Sequence, residues 1–98
     1  MTAIAPNAST RLRRSPTAMS SELPDGFVIM DIESGHYFSL NETGSAIWGA
    51  LENPVTEGEI VDRLCERFDI PADTCRAKVA DFLDRLGRFR IVEIAPAD

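Results

Sequence analysis

Between Gly35 and Trp48 the chain reads GHYFSLNETGSAIW, and the spacing of apolar residues changes within this stretch. Phe38 and Leu40 alternate with their neighbours, which is the period of a half-buried strand. Asn41 then offers a side chain that can accept a hydrogen bond from the first turn of a helix, and it is a preferred N-cap. The stretch therefore predicts a strand that runs directly into a helix at Asn41.

A second alternating run lies just upstream, from Phe27 to Ile32, and it is rich in β-branched and aromatic residues. Residues 33–35 have turn chemistry and separate it from Tyr37–Leu40, so the two runs are predicted to pair as a β-hairpin. A weaker pattern from Thr17 to Leu23 predicts a first strand before the turn at residues 24–26. The expected result is a small antiparallel sheet.

Three helices are predicted after the sheet. The first extends from about Glu42 to Leu51 and ends before Pro54, because a proline disfavours helical backbone in the residue that precedes it. The second begins at a capping box formed by Thr56 and Glu59, and its apolar stripe continues to about residue 68.

The third helix is predicted to begin at Pro71, whose fixed φ suits a first turn, with Gly87 as its C-cap. Its apolar residues recur at helical spacing: Cys75, Val79, Phe82, Leu83 and Leu86. Alternation in residues 89–94 predicts a short final strand. The predicted fold class is α+β, a small three-stranded antiparallel sheet followed by three helices, which resembles a winged helix-turn-helix.

Length and composition set limits on how the chain is organised. Its 98 residues are enough for one domain, and an apolar fraction of 44% supports a modest core. Residues 1–15 contain three arginines, no acidic residue and no sustained period, so a disordered tail is predicted there. The folded domain is then expected at residues 16–94, with a frayed end at residues 95–98.

The charge of the chain argues against two classes of partner. A net charge of −6 and a pI near 4.7 disfavour broad binding to nucleic acids or anionic membranes, since both depend on a positive field. No stretch approaches the ~20 apolar residues of a membrane span, and residues 1–16 lack the apolar centre of a secretory signal. A cytoplasmic location is expected, with neither nucleic acid nor membrane as a partner.

The sequence contains no pattern that predicts catalysis or metal binding. Cys65 and Cys75 lie ten residues apart and His36 is the single histidine, so two free thiols, no metal and no cofactor are expected. His36 is interpreted as a solvated turn residue, and Asp81 and Asp84 as ordinary surface charges. A protein that is not an enzyme is expected.

A DNA-binding winged helix is the alternative interpretation, with the third helix as the recognition helix. Basic residues lie along this helix and just beyond it, at Arg76, Lys78, Arg85, Arg88 and Arg90. Acidic residues interrupt them, at Asp73, Asp81 and Asp84. Specific DNA binding usually needs a positive surface that spans several phosphates, so this pattern disfavours the alternative without removing it.

The motif LN-x-TG-xxx-W at residues 40–48, which follows a hairpin ending in GHYFSL, resembles the peptide-recognition proteins of the PqqD type. The resemblance extends over about residues 16–93, and it is greatest to the discrete B1-type recognition proteins of lasso-peptide pathways. It implies a non-catalytic protein that needs no cofactor and holds the leader of a ribosomally made precursor peptide. The implied partners are that leader and a leader peptidase or modifying enzyme.

The resemblance also implies where the leader binds, because in this family it lies between the third strand and the third helix. The residues expected to contact it are Tyr37, Phe38, Ser39, Lys78, Asp81, Phe82 and Arg85. A short edge strand has N–H and C=O groups that can accept an added strand, and the four helical residues fall on one stripe. Tyr37 and Phe82 can equally be core residues. A monomer, or a weak homodimer through the same edge, is expected.

Overall fold

The computed structural model describes residues 10–95, so most of the predicted tail and the frayed end beyond residue 95 lie outside the described residues. The described part forms strands and helices around one hydrophobic core. In chain order these elements are β1 (Arg11–Arg14), β2 (Ala18–Leu23), β3 (Gly26–Asp31), β4 (Tyr37–Ser39), α1 (Glu42–Ala50), β5 (Val55–Thr56), α2 (Glu57–Phe68), α3 (Ala72–Arg88) and β6 (Val92–Ile94).

The predicted hairpin is present, and β2, β3 and β4 form one antiparallel sheet in that order. Ser20 of β2 lies opposite Ile29 of β3, which in turn lies opposite Phe38 of β4. Ile29 is fully buried, and Phe38 packs against the same core from the edge strand. The three-stranded sheet predicted from the sequence is therefore confirmed.

Gly26 allows this sheet to approach α1 closely. Its φ is 141°, and a Cβ at this position would lie 2.6 Å from the carbonyl oxygen of Leu40 and 2.5 Å from Oγ of Ser45. A side chain would collide with both atoms, so glycine is required here. The next residue, Phe27, donates its backbone N–H to Oγ of Ser45 at 3.0 Å. These contacts hold β3 against the start of α1.

The prediction of a disordered tail is wrong for residues 11–14, which form β1 between β5 and β6 in a second antiparallel sheet. Leu12 is fully buried and lies opposite Val55 on one side and Ile94 on the other. A single leucine among arginines gives no strand period. Arg13 donates a hydrogen bond to the carboxylate of Glu93, which lies 80 positions further along the chain. Local composition therefore carries no sign of this strand, and the folded domain begins before the expected residue 16.

Local capping interactions begin α1 and α2 as predicted. Oδ1 of Asn41 accepts a hydrogen bond from the backbone N–H of Gly44 at 2.8 Å. At the start of α2, Glu59 accepts from the N–H of Thr56 at 2.9 Å, and Thr56 Oγ1 accepts from the N–H of Glu59 at 3.2 Å. Both bonds of the predicted capping box are present.

The end of α3 differs from the prediction, because Gly87 is not its C-cap. The left-handed residue is Arg90, with a φ of 60°. Its N–H donates to Gly87 O and the N–H of Ile91 donates to Leu86 O, both at 3.0 Å, which is a Schellman motif. Ile91 and Leu86 are buried and supply the hydrophobic contact of that motif. Burial of Ile91 thus ends the helix later than glycine placement predicts.

Trp48 of α1, the last residue of the motif, is fully buried. The guanidinium of Arg14 lies 4.4 Å from the centroid of the indole, and its Nη2 donates to the carbonyl oxygen of Trp48 at 2.7 Å. Other fully buried side chains come from both sheets, the helices and two turns, and include Leu12, Ile29, Ile47, Leu51, Ile60, Leu64, Val79 and Ile91.

The α+β class and the order of a three-stranded sheet followed by three helices agree with the prediction. The likeness to a winged helix-turn-helix stays a prediction. No helix within residues 10–95 combines the length and apolar character that crossing a membrane requires.

Candidate functional site

A surface groove runs between β4 and α3. Its first part is a cavity of about 300 Å³ lined by Tyr37, Phe38 and Ser39 of β4 and by Phe82 and Arg85 of α3. A second cavity of about 160 Å³ adjoins it, because Phe82 and Arg85 line both. We refer to the two cavities together as the β4–α3 groove.

The second cavity adds the remaining residues that the sequence predicts at this site. Lys78 and Asp81 of α3 line it, together with Thr43 at the start of α1. All seven predicted contact residues therefore lie around one groove, although the first three come from a strand some 40 positions before the others. Their role in binding stays a prediction.

β4 is an edge strand whose outer side is open among the described residues. Asp31 donates its N–H to the carbonyl of His36, and Leu40 donates its N–H to the carbonyl of Phe27. Hydrogen-bonded pairs alternate with non-bonded pairs in an antiparallel ladder, so the backbone groups of Phe38 point toward β3. The N–H and C=O groups of Tyr37 and Ser39 then point away from β3, toward the open edge.

Phe82 lines both cavities of the groove. A Cβ at position 44 would lie 3.4 Å from its Cε2 atom and 3.4 Å from Oδ1 of Asn41, so Gly44 lies directly beside the ring at the N-cap of α1. Phe82 is half-buried and packs against the core as well as lining the groove. Gly44 of the sequence motif and Phe82 of α3 are thus adjacent in space.

The charged groups of α3 fall into two sets. Away from the groove, Arg76 pairs with Asp73 at 2.7 Å, and near the helix end Arg88 pairs with Asp84 at 3.0 Å. Lys78, Asp81 and Arg85, which line the groove, form no ion pair within residues 10–95. The charges that face the groove are therefore available to a ligand.

An aromatic cluster lies where the hairpin turn meets the end of α3. The ring centroids of Phe38 and Phe89 are 5.0 Å apart, and His36 lies 5.4 Å from Phe89 and 6.4 Å from Phe38, with interplanar angles of 63–77°. Edge-to-face packing of this kind is favourable. Interpretation of His36 as a solvated turn residue is therefore incomplete, and Phe89 belongs to a turn rather than to the predicted final strand.

The signals for this cluster are present in the sequence. Phe89 follows Phe82 and Arg85 by seven and four positions, which continues their helical stripe, and His36 precedes Phe38 by two, which is the strand period. The turn that carries His36 is ordered by Asp31, which accepts from Ser34 Oγ at 2.7 Å. This hydrogen bond is the main reason that the pKa of Asp31 is below its ordinary value.

The two cysteines lie away from the groove, on α2 and α3. Both are free thiols, as predicted, and their Sγ atoms are 2.7 Å apart. Burial, with a smaller contribution from the Cys65 hydrogen bond, raises the pKa of Cys75 to about 11. The thiolate of Cys75 is therefore disfavoured at neutral pH. No cluster of metal-ligating side chains occurs in the described part of the chain.

The fold and the groove together define a class of protein: a small α+β domain with an open strand edge beside a helix, an arrangement that suits an extended peptide. Residues 26–92 match the model of the family described as coenzyme PQQ synthesis protein D, or PqqD. The chain belongs to this family, which confirms the resemblance found at residues 40–48. No curated protein sequence matches the chain significantly.

Solved structures agree with this assignment. TbiB1, solved in complex with the TbiA(beta) leader peptide, is 31% identical with a TM-score of 0.78, and the match covers 88% of this chain and 99% of that chain. A lasso peptide synthetase B1 complexed with its leader peptide is 20% identical with a TM-score of 0.70, covering 87% and 98%. The PqqD truncation of Methylobacterium extorquens PqqCD, a stand-alone recognition element for ribosomally made peptides, is 19% identical with a TM-score of 0.72, covering 91% and 95%. At these identities the last two show the fold alone.

Proposed function

We propose that this protein binds the leader of a ribosomally made precursor peptide and presents it to a leader peptidase or modifying enzyme, without catalysing a reaction itself. The observation that supports this most is the open edge of β4 beside the stripe of α3, in a chain 31% identical to a protein solved with a leader peptide. A lasso-peptide leader is the proposed ligand class, since the sequence most resembles the B1-type recognition proteins of lasso-peptide pathways and the 31% identical TbiB1 was solved with a leader peptide.

In the proposed complex the leader adds a strand to β4. Its backbone pairs with the outward N–H and C=O groups of Tyr37 and Ser39, and an apolar leader side chain contacts Phe82 in the larger cavity. Acidic leader residues form charge-assisted contacts with Lys78 and Arg85. Backbone pairing supplies affinity, and the α3 side chains supply selectivity.

The comparisons do not favour the DNA-binding alternative, and neither do the charges. The net charge is −6, and two of the arginines on α3 are already paired with acidic side chains of the same helix. A DNA reader needs such residues to contact phosphates. The DNA-binding alternative would be supported by tight binding to duplex DNA at physiological salt, together with no binding to a precursor peptide encoded beside this gene.

The test uses Ser39→Pro, with Ser39→Ala as the matched control. Proline removes the outward N–H of residue 39 without removing a hydrogen bond to β3, so we expect at least about tenfold weaker leader binding. Alanine keeps the N–H, so Ser39→Ala should bind within about twofold of the unaltered protein. Binding is measured by calorimetric titration with the synthetic leader of the precursor encoded beside this gene, and circular dichroism verifies folding.

One result contradicts this binding mode. If folded Ser39→Pro binds the leader as tightly as the unaltered protein, and leader addition shifts amide resonances around α2 instead of residues 37–40, then the added strand is not at β4. If no neighbouring precursor leader binds at all, the proposed function itself is wrong.

The oligomeric state and the location belong to the same proposal. We propose a monomer, or a weak homodimer that pairs through β4. The leader would displace the second protomer, because the leader and that protomer would pair with the same edge of β4. A cytoplasmic location follows from a ligand that is made on ribosomes. Sedimentation with and without leader tests the first statement, and cell fractionation tests the second.

A further inference from the structure

We propose that the sheet of β2, β3 and β4 carries a docking surface for the enzyme that receives the leader, on the side that points away from the core. The docked surface of that enzyme is apolar at its centre and carries Lys or Arg at its margin. We call this side of the sheet the outer face. The inference rests on the proposed function and extends it, because it gives the partner enzyme a surface outside the β4–α3 groove.

The outer face is apolar, although a sheet face that meets water normally carries polar side chains. Its positions alternate along the strands with residues such as Ile29, which are directed into the core. Five of the outer positions are apolar: Met19, Leu23, Val28, Met30 and Tyr37. The central strand β3 therefore has apolar side chains on both faces, which is typical of a strand that is covered on both sides.

Three of these side chains form a row across the sheet. Met19 lies opposite Met30, and Met30 lies opposite Tyr37. Neighbouring strands are about 4.8 Å apart, so the row extends over about 10 Å. Met19 is 57% exposed and Tyr37 is 71% exposed, and none of the three packs against the core. A contiguous exposed apolar surface marks an interaction site, and methionine side chains adapt readily to the surface of a partner.

The charges around the outer face indicate the chemistry of its partner. Residues 15–62, which include the whole sheet, contain no lysine or arginine, whereas acidic residues occur throughout. Asp25 and Glu33 are exposed in the turns at the two ends of the sheet, and neither forms an ion pair within residues 10–95. A partner surface with basic residues around an apolar centre is complementary to this arrangement.

Two other occupants fit the outer face less well. A second copy would bring another acidic hairpin against this one, and an anionic membrane would bring like charge as well. Arg67 and Arg88 do not offset the acidic charge of this face. They come from helices, and they line cavities together with Phe27 and Asp31, whose side chains point to the inner side of the sheet.

The outer face continues onto the leader in the proposed complex. A strand added at β4 extends the sheet, and its side chains alternate between the two faces. The leader side chains on the outer side lie beside Tyr37 and Ser39, so they extend the row of Met19, Met30 and Tyr37 by one strand. An enzyme docked on this face therefore contacts the protein and the leader together, which suits an enzyme that acts on the leader when it is bound.

The first test compares Met19→Gln with Ile94→Gln. The two side chains are similar in size and are 57% and 53% exposed, but Ile94 lies on β6 in the other sheet. The probe is the purified peptidase or modifying enzyme encoded beside this gene, titrated into protein that is saturated with the synthetic leader. We expect Met19→Gln to bind this enzyme about 5- to 20-fold more weakly and Ile94→Gln to bind it within about twofold of the unaltered protein.

The leader itself provides the control for this comparison. Met19 is two strands away from the open edge of β4, so both variants should bind the leader within about twofold of the unaltered protein. Circular dichroism verifies that both are folded. A loss of enzyme binding without a loss of leader binding then belongs to the outer face and not to the β4–α3 groove.

Charge and coupling provide two further measurements. Glu33→Lys should weaken enzyme binding about 3- to 10-fold at low salt and less at high salt, whereas Glu66→Lys, on the exposed side of α2, should stay within about twofold. The enzyme should bind the leader-loaded protein at least about fivefold more tightly than the empty protein. By linkage, the enzyme then raises the affinity for the leader by the same factor.

A measurement on the unaltered protein does not depend on any variant folding. In protein labelled at the methionine methyl groups, addition of the enzyme to the leader-loaded protein should shift or broaden the resonances of Met19 and Met30. The spectrum of Met19→Gln assigns the Met19 signal, since that signal is then missing.

The outcomes separate the two proposals. If the leader binds but Met19→Gln and Ile94→Gln bind the enzyme equally well, or the methyl resonances do not change, leader recognition stands and the docking surface is wrong. The docking surface is also wrong if the enzyme does not bind the loaded protein. Self-association in sedimentation that Met19→Gln abolishes would assign the outer face to a second copy instead, and binding to phosphatidylglycerol vesicles that it abolishes would assign the face to a membrane. If no leader binds to the unaltered protein, both proposals fail together.

Discussion

At the scale of single residues, Trp48 connects parts of the chain that are far apart in sequence. Its indole is fully buried on α1, and Arg14 of β1 both covers the ring and donates to its carbonyl oxygen. The indole Nε1 has no hydrogen-bond partner in the part of the chain that the structure describes. Trp48 therefore stabilises the fold through packing and not through its polar atom.

This arrangement predicts different costs for two substitutions. Trp48→Ala removes a buried aromatic side chain and should lower the free energy of unfolding by about 3–5 kcal/mol. Trp48→Phe keeps most of the ring and loses no hydrogen bond, so we expect a cost below about 2 kcal/mol. Urea unfolding followed by circular dichroism measures both. Unchanged stability of Trp48→Ala would mean that the buried face of α1 is misassigned.

Residues also show which features a sequence can predict. Asn41 and the pair Thr56 and Glu59 were identifiable because a cap needs only residues three positions apart. The end of α3 depends instead on burial of Ile91, a tertiary property that glycine placement does not report. The contact of Phe89 with Phe38 likewise needs the hairpin to lie beside α3.

At the scale of elements, α3 combines a buried face and a face that lines the groove. Cys75, Val79, Leu83 and Leu86 are buried, whereas Lys78 and Arg85 line the groove without ion pairs in residues 10–95. The apolar periodicity of the sequence predicted both faces, because the spacing of residues along a single helix determines which of them share a face. The way β4 is placed beside them was supplied by the family resemblance, since spacing within one helix says nothing about its neighbours.

Two arginines of α3, one lining the groove and one outside it, allow a matched test of charge. Arg85→Glu should weaken leader binding about 3- to 10-fold at low salt, with a smaller effect at high salt, because the contact is partly exposed and therefore screened. Arg76→Glu makes the same charge change on the same helix but lies outside the groove. It should stay within about twofold of the unaltered protein. Titrations at two salt concentrations decide this, and equal effects of both variants would indicate only a general electrostatic influence.

At the scale of the whole molecule, β1 closes a second sheet that the sequence did not predict. It lies between β5, which precedes α2, and β6, which follows α3. Leu12 at its centre contributes a fully buried side chain to the common core. The strand β1, which was not predicted, thus connects the start of the described chain to its end. The helices that lie between these two ends in sequence were each predicted.

Substitution at β1 tests this closure. Leu12→Ala should lower the free energy of unfolding by about 2–5 kcal/mol, the usual cost of removing a buried leucine side chain. Arg11→Ala, at an exposed neighbouring position, should change it by less than about 0.5 kcal/mol. Thermal and urea unfolding of the two variants provide the comparison. Equal stability of Leu12→Ala and the unaltered protein would support the disordered tail after all.

The pairing of β1 with β6 also determines how the domain responds to force. Ala95 donates its N–H to the carbonyl of Arg11 at 2.8 Å, followed inward by the pairs of Leu12 with Ile94 and Arg14 with Val92. The two strands are antiparallel, so a pull on the two ends loads these pairs one after another, as in opening a zipper. A molecular motor that threads this chain from its N-terminal side therefore meets its weakest mechanical direction first, and it pulls Arg14 of β1 away from Trp48 before it disturbs the helices.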